Sequence, residues 1–315
     1  MQNEVLHVAH EESYTTEELA QILKVSKLTI YDLIKKGELS AYRVGRQMRV
    51  DQRALDAYKN RMTEYDAGSK RVADTAIVAE TKSVRPVVIS GQDQCLDILG
   101  RELEKKGGYQ ALRSHGGSLD SLIAMYQGKA DLVSTHLFDG DTGTYNLPYI
   151  RKLLVSKSFL VVHLISRRAG LYAAVGNPLG ISGWTDLVKP EIRIANREPG
   201  AGARVLLDEQ LRMHGLDRSQ VKGYSEEVTS HLAVAGMVAS GRAACGVGIE
   251  QAARMAGIDF IPLIEESYDL VLLRTKENKQ LIQDVLDLLS DPEFERELHS
   301  LGYDTAQMGT IRYEQ

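Results

Sequence analysis

The chain has 315 residues, 43% of them hydrophobic and 26% charged, with a formal net charge of −5 at pH 7 and two cysteines. That length points to two or three domains, and the negative balance excludes a protein that coats nucleic acid over its whole surface. Cys95 and Cys245 are too few for a disulfide framework and lack the Cys-x-x-Cys or His-rich company of a metal site, and no apolar run approaches the roughly 18 residues of a membrane span.

The N-terminus "MQNEVLHVAHEES" is acidic and lacks the basic flank and cleavage site of a secretory signal, so the expected location is cytoplasmic, with no membrane partner. Charge is unevenly spread. Residues 24–61 hold ten Lys and Arg against four Asp and Glu, a local balance of +6, which leaves about −11 for the rest. Within "YTTEELAQILKVSKLTIYDLIKKGELSAYRVGRQMRV", Thr15 and Glu18 form a capping box ahead of a short helix with apolar stripe Leu19, Ile22 and Leu23. Val25 and Ile30 then make a hydrophobic staple, Ser26 caps a second helix with core face Ile30, Leu33 and Ile34, and Gly37 ends it. Two short helices joined by a tight turn are a helix-turn-helix, whose second helix turns Lys27, Thr29, Tyr31 and Lys35 outward. "LSAYRV" and "QMRV" flank Gly45-Arg46 as a β-hairpin wing carrying Arg43, Arg46 and Arg49, which suit phosphates or a narrow minor groove.

This stretch resembles the excisionase-type winged helix-turn-helix, a relative of the MerR DNA-binding domain, over about 50 residues. The resemblance rests on Thr-x-x-Glu, Val-Ser, Gly-x-Leu and Tyr-Arg-Val-Gly-Arg. It implies duplex DNA as a partner, bound by a homodimer or higher homo-oligomer. Residues 1–62 are assigned to this domain, "RALDAYKNRM" being its closing helix, and the polar residues 63–84 to a partly helical linker.

From Arg85 strands and helical segments alternate: "PVVIS" and "QCLDILGRELEKK", then "GKADLVSTH", "KSFLVVHLISR", "EIRIANR", "ACGVGI", "DFIPL", "YDLVLL" and a last helix near "KQLIQDVLDLLS". The pattern predicts an α/β fold with mostly parallel sheets and a ligand beyond the carboxyl ends of strands. "GGSLDSLIAMYQGKADLVSTHL" (116–137) and "TSHLAVAGMVASGRAACGVGI" (229–249) echo each other as helix, Gly-Lys/Arg-Ala and strand, which suggests two similar lobes. The glycine turn "NREPGAGAR" is neither a P-loop, since no lysine follows, nor a dinucleotide loop, since Val205 stands where a third glycine belongs.

"SGQDQCLDIL", "GLYAAVGNPLGISGWTDL", "IANREPGAGARVLLDEQL" and "DFIPLIEESYDLVL", together with the two echoing segments, resemble in order the periplasmic-binding-protein-like domain of molybdate-type regulators, over about 230 residues. The resemblance implies a type II binding-protein fold at 85–315, with one lobe at about 85–165 and 266–315, a second at about 166–265, and a ligand in the cleft. It implies a small anion, molybdate or tungstate, and no other cofactor.

Four helix starts are the expected anion donors: Ser90 to Gln94, Gly117 to Asp120, Gly200 to Arg204, and Thr229 to His231. Ser90, Ser118, Thr229 and Ser230 add hydroxyls, Gly117, Gly200 and Gly202 close backbone approach, and Arg204 charge. Gln92, Asp93, His136, His231 and Tyr268 complete the expected lining. Structural alternatives are N-capping for Ser118 and Ser230, pairing with Glu198 or Asp208 for Arg204, and a hydrogen-bonded structural role for His136. The family's loop commonly reads Gly-Ser-Gly-Thr-Arg, whereas Ala201 and Ala203 here remove both hydroxyls. No nucleophile–base pair stands at recognisable spacing, so the reading is a regulator, not an enzyme. The alternatives are a protein of molybdenum-cofactor metabolism, or a DNA-binding protein whose second domain takes another small organic ligand or none.

Overall fold

The computed structural model describes residues 13–23, 27–35, 39–44, 47–56, 58 and 84–315, in two compact units, Met1–Glu80 and Thr81–Gln315. In the first unit, β1 (Ser13–Thr15), β2 (Tyr42–Val44) and β3 (Gln47–Asp51) form an antiparallel sheet in the order β1-β3-β2. It accompanies α1 (Thr16–Leu23), α2 (Lys27–Lys35) and a helical segment α3 over 52–56. The capping box is present: Thr15 N donates to Glu18 Oε2 at 2.8 Å and Glu18 N to Thr15 Oγ1 at 3.3 Å. Leu19, Ile30, Leu39, Val50 and Leu55 are the buried core, with Leu23, Leu33 and Ile34 packed against it. Ile22, expected in the apolar stripe, is 41% exposed, because α1 buries the flank of Leu19 and Leu23 and leaves the other side to solvent. Strand β1 was not expected; it adds an edge to the wing. Val25, Ser26, Gly37, Gly45 and Arg46 lie outside the described residues.

The second unit is built on one nine-stranded sheet. Its first half contains β4 (Arg85–Ser90), β5 (Tyr109–Ser114) and β6 (Leu132–Thr135), with α4 (Cys95–Lys106) and α5 (Ser118–Tyr126) in the connections. Its second half contains β10 (Ile194–Arg197), β11 (Glu227–Val228) and β12 (Cys245–Ile249), with α7 (Gly202–Met213) and α8 (His231–Ala239). A short hairpin, β7 (Phe138–Asp139) and β8 (Thr144–Tyr145), and helix α6 (Leu147–Leu153) follow β6. Two fifteen-residue strands, β9 (Phe159–Ala173) and β13 (Asp259–Leu273), run antiparallel through both halves. The order β11-β10-β12-β9-β13-β6-β4-β5 reads alike from either end: β10 and β4 each pair in parallel with two neighbours, and β12 and β6 each meet one long strand antiparallel.

The sequence echo is thus structural, α5–β6 in one lobe answering α8–β12 in the other. Each lobe buries apolar side chains on both faces of its sheet, the first around Leu99, Leu164 and Leu270 and around Leu122, Val161 and Val271, the second around Leu171, Ile194 and Leu207 and around Tyr172, Val234 and Ala235. Two sequence expectations change. "DFIPL" and "YDLVLL" are one strand, carried across "IEES" by bulges at Pro262/Ile264 and Tyr268/Asp269, and the sheet mixes parallel lobes with antiparallel long strands. Helix α9 (Glu250–Ala256), α10 (Lys279–Leu289), α11 (Pro292–Ser300) and β14 (Ile311–Glu314), paired with β9, complete the unit.

Candidate functional site

The two long strands place opposite charges at the centre of the sheet. Arg167 on β9 and Glu266 on β13 are register partners, and both are buried. Arg167 Nε donates to Glu266 Oε1 at 2.9 Å, Nη2 donates to the same carboxylate and Nη1 to Asp93. Asp93, at the start of α4, also accepts from Cys95 N at 2.9 Å and from the Tyr303 hydroxyl at 2.6 Å. Burial opposes ionisation of Asp93, but the charge of Arg167 and the Tyr303 hydroxyl outweigh it and hold its carboxyl below the usual range. Burial likewise opposes the charge on Arg167, and Glu266 and Asp93 overcome that and raise its pKa.

Beside this cluster lies a cavity of about 200 Å³ between the lobes. Gln92, Asp93 and Gln94 from the start of α4 and Ser230 and His231 from the start of α8 line it, with His136, Arg167, Arg197 and Tyr268. Tyr268 stacks on His136 with ring centroids 5.2 Å apart, lies 4.3 Å beneath the Arg167 guanidinium and shares a 2.7 Å hydrogen bond with Ser134. Burial first, and the nearby arginines second, push both His136 and His231 well below the ordinary imidazole range, so both rings are neutral at pH 7. His231 Nδ1 is buried without a hydrogen-bond partner among the described residues.

Arg197, 2% exposed at the end of β10, lines this cavity as an ion-paired guanidinium. Its Nε donates to Glu198 Oε2 at 2.8 Å, while Nη2 reaches Glu198 Oε1 at 2.7 Å, Gln92 Oε1 at 2.5 Å and Thr229 O at 3.3 Å. Nη1 makes no hydrogen bond among the described residues.

The two other helix starts face each other across the lobes. Leu119 N donates to Gly200 O at 3.1 Å, and a Cβ on Gly117 would lie 2.9 Å from that oxygen. Gly200 has φ +85°, a conformation that favours glycine. Gly202 abuts His136, whose ring a Cβ there would overlap. Ser118 Oγ lies 3.0 Å from His136 Nδ1.

The structure therefore divides the expected ligand residues. Gln92, Asp93, His136, Ser230, His231 and Tyr268 line the cavity; Ser230 also caps α8, accepting from Ala233 N at 3.1 Å. Gly117, Ser118, Gly200 and Gly202 form the lobe–lobe contact beside it, and Thr229 contributes its carbonyl to Arg197. Ser90 does not line it: its hydroxyl is buried, 2.8 Å from that of Ser121. Arg204 turns away, donating from Nη1 to Arg197 O at 2.9 Å and stacking 4.0 Å over Tyr224, with Asp208 3.4 Å from Nε. In the first turn of α7 the guanidinium finds the Tyr224 ring and the carboxylates of Asp208 and Glu227, which the loop's one-dimensional spacing did not reveal. Arg167, Arg197 and Tyr303 were missed. The signal for the two arginines was a charge inside an apolar strand, in "HLISRRAGL" and "IRIANR", the mark of a buried and partnered group.

In the first unit, Thr29, Tyr31 and Arg43 are exposed, and Lys27 pairs with Glu17. Arg49 is half-buried, with Nη1 3.2 Å from Ser13 Oγ, so β1 holds part of its donor capacity. The side chain of Lys35 and all of Arg46 lie outside the described residues.

Comparison with known proteins agrees with both units. A helix-turn-helix domain model matches residues 13–63, and a PBP superfamily domain model matches residues 100–290, more than half of the chain. The uncharacterized protein YvgK of Bacillus subtilis is 49% identical over 304 residues, covering 96% of this chain and 98% of its own. An uncharacterized protein encoded in the 5′ region of a Clostridium pasteurianum ferredoxin gene is 41% identical over 109 residues, 34% of this chain and 96% of its own. Among solved structures, a hydrogen-peroxide-bound cysteine-to-serine mutant of OxyR from Corynebacterium glutamicum has a TM-score of 0.52 at 12% identity, over 96% of this chain and 92% of that one. A phosphate-bound putative phosphate transporter substrate-binding protein of Clostridium perfringens has 0.51 at 12% identity, over 70% and 99%. EhuB in complex with hydroxyectoine has 0.52 at 13% identity, over 73% and 93%. These structures share the fold. With a helix-turn-helix domain ahead of a two-lobed sheet that closes over a small cleft, the chain belongs to the PBP superfamily.

Proposed function

We propose that this protein is a ligand-responsive, DNA-binding transcriptional regulator that senses a small anion in the interlobe cleft. A helix-turn-helix domain joined to a PBP superfamily domain is the composition of a binding and regulatory protein. The observation that carries the ligand side is Arg197, a buried guanidinium with one free nitrogen at a cavity of only about 200 Å³, where α4 and α8 also begin. Such a volume suits a ligand of few atoms. Molybdate and tungstate are the anions that the sequence resemblance implies. The same fold holds phosphate in one solved protein and hydroxyectoine in another, so the fold alone does not choose between inorganic and organic ligands.

On the DNA side, the exposed Thr29 and Tyr31 of α2 are assigned to the major groove and Arg43 to the phosphates or minor groove, with the protein acting as a homodimer in the cytoplasm. Among the described residues no helix is long and apolar enough to cross a membrane. Ligand-driven closure of the lobes supplies the free energy that reaches the DNA-binding domains, and its size is the difference in ligand affinity between open and closed forms. Calorimetric titration of the full chain with molybdate, tungstate, phosphate and a panel of small carboxylates tests the sensing half. Saturable heat and a raised melting temperature with one class are expected. No heat from any of them at millimolar concentration would refute an anion-sensing cleft.

A further inference from the structure

Three observations narrow the chemistry of the ligand. The first is donor supply. A tetrahedral dianion presents four oxygens that need donors on every side. Here the start of α7 is covered by His136, and the Leu119 N–H of α5 is taken by Gly200 O. Each nitrogen of Arg167 already bonds to Glu266 or Asp93. What remains among the described residues is Arg197 Nη1, the buried His231 Nδ1, and the N–H groups at the starts of α4 and α8, where Ser230 caps only Ala233.

The second is charge. Each buried guanidinium already faces a carboxylate, Glu266 and Asp93 for Arg167 and Glu198 for Arg197, and neither histidine is protonated at pH 7. Among the described residues of the cavity, no uncompensated pair of positive charges awaits a dianion. The third is an apolar stretch of the wall, Leu232, Ile249, Ala252 and Met255, with the ring of Tyr268. Beyond it, a second cavity of about 530 Å³ shares Arg167, Ile249, Gln251 and Tyr303 with the first, and Gln251 Nε2 donates to Leu301 O at 3.2 Å at this shared wall.

From this combination we infer that the cleft takes a small organic monocarboxylate with an apolar tail, the carboxylate against Arg197 and the start of α8 and the tail along Leu232, Ile249, Ala252 and Met255. The inference rests on the reading of the cleft as an anion-sensing site and names the class of anion. Two oxygens in one plane match a donor set at one guanidinium nitrogen and the neighbouring helix starts, and beside the paired Glu198 a single negative charge is repelled less than a double one. The tail removes apolar surface from water as it enters the cavity, which gives affinity that a bare oxyanion cannot gain there.

The test uses the full chain and the straight-chain carboxylates from acetate to octanoate, the amides of the same lengths, and molybdate, tungstate, phosphate and sulfate, all by calorimetry. Affinity is expected to rise about fourfold per added methylene until the cavity is full, and each amide to bind at least tenfold more weakly than its acid. Ala252→Val, which fills part of the apolar wall, should shorten the chain length at which affinity stops rising. Leu232→Ala should lower the affinity gained per methylene; it serves if the first variant does not fold. Tighter binding of any inorganic oxyanion than of every carboxylate overturns the inference and leaves the anion-sensing reading standing. Equal affinity for acids and amides, or no dependence on chain length, also overturns it. Absence of binding by both classes overturns the inference and the anion-sensing reading together.

Discussion

Gln92 and Arg197 clasp the two lobes together. The glutamine, from the loop before α4, accepts from Arg197 Nη2 at 2.5 Å and donates to Glu198 Oε1 at 3.0 Å. The side chain that holds the lobes closed therefore also fixes the guanidinium assigned to the ligand. Closure and recognition share one group, as a sensor requires if ligand binding is to favour one arrangement of its lobes.

Removing the clasp should weaken binding without removing the binding charge. Gln92→Ala deletes two hydrogen bonds to charged partners, each worth about 1.5–3 kcal/mol, and is expected to lower affinity for any cleft-bound anion by at least roughly tenfold. Calorimetry on the variant measures this, and small-angle scattering without ligand should show a larger radius of gyration. An unchanged affinity would separate Gln92 from closure.

Gly202 sits where a side chain cannot. A Cβ would overlap the His136 ring and fall 2.7 Å from the His136 carbonyl oxygen, so Gly202→Ala must part the lobe contact, at a cost of about 1–3 kcal/mol. Thermal denaturation should show the lowered midpoint, and the double variant with His136→Ala should recover part of it. If the single variant melts like the parent, the contact is not closed in solution.

Arg204 and Arg197 should separate stability from binding. Arg204→Ala loses the stack on Tyr224 and the bond to Arg197 O, and is expected to destabilise by about 1–3 kcal/mol while ligand affinity falls only several-fold. Arg197→Gln should abolish binding at concentrations that saturate the parent. Equal losses of affinity in the two variants would return Arg204 to the ligand site.

The neutral histidines set an acid-side limit. His136 and His231 have folded pKa values well below 6.5, whereas in the unfolded chain they titrate near about 6.5. Above that value neither state takes up a proton and their contribution to stability is complete. As pH falls below it, the unfolded state binds protons that the folded state refuses, and stability declines by up to about 1.4 kcal/mol per pH unit for each ring until the folded pKa is reached. The melting temperature should drop between about pH 7.5 and 5.5, the span around the unfolded value, by more in the parent than in His231→Gln. An equal drop in both would show that His231 takes up its proton in the folded state.

Much of this architecture was legible in the chain. The capping box of Thr15 and Glu18, the apolar spacing of Ile30, Leu33 and Ile34, and the repeated helix-then-strand segments gave both units and the two lobes, because these signals are local. The continuity of β13 was not legible. "IEES" reads as a polar break until its partner is known, and Glu266 becomes a strand residue only because Arg167 stands opposite it on β9. The cleft was half legible for the same reason. Loop residues such as Gln92 and Ser230 announce a helix start, but whether that start meets a ligand or another lobe depends on a neighbour distant in sequence, as Gly200 and Leu119 show for two starts that face each other.

The central claim is that an anion in the cleft changes how tightly the N-terminal domain holds DNA. Its most direct measurement is fluorescence anisotropy of the full chain on a duplex selected by that chain from a random library, at fixed salt, with and without a carboxylate or oxyanion at a concentration that calorimetry shows to be saturating. The account predicts a change in DNA affinity of at least about fivefold, matching a coupling of about 1–3 kcal/mol, and no change in Arg197→Gln, which should bind the duplex like the unliganded parent. Identical DNA affinity with and without a ligand that demonstrably fills the cleft would contradict it.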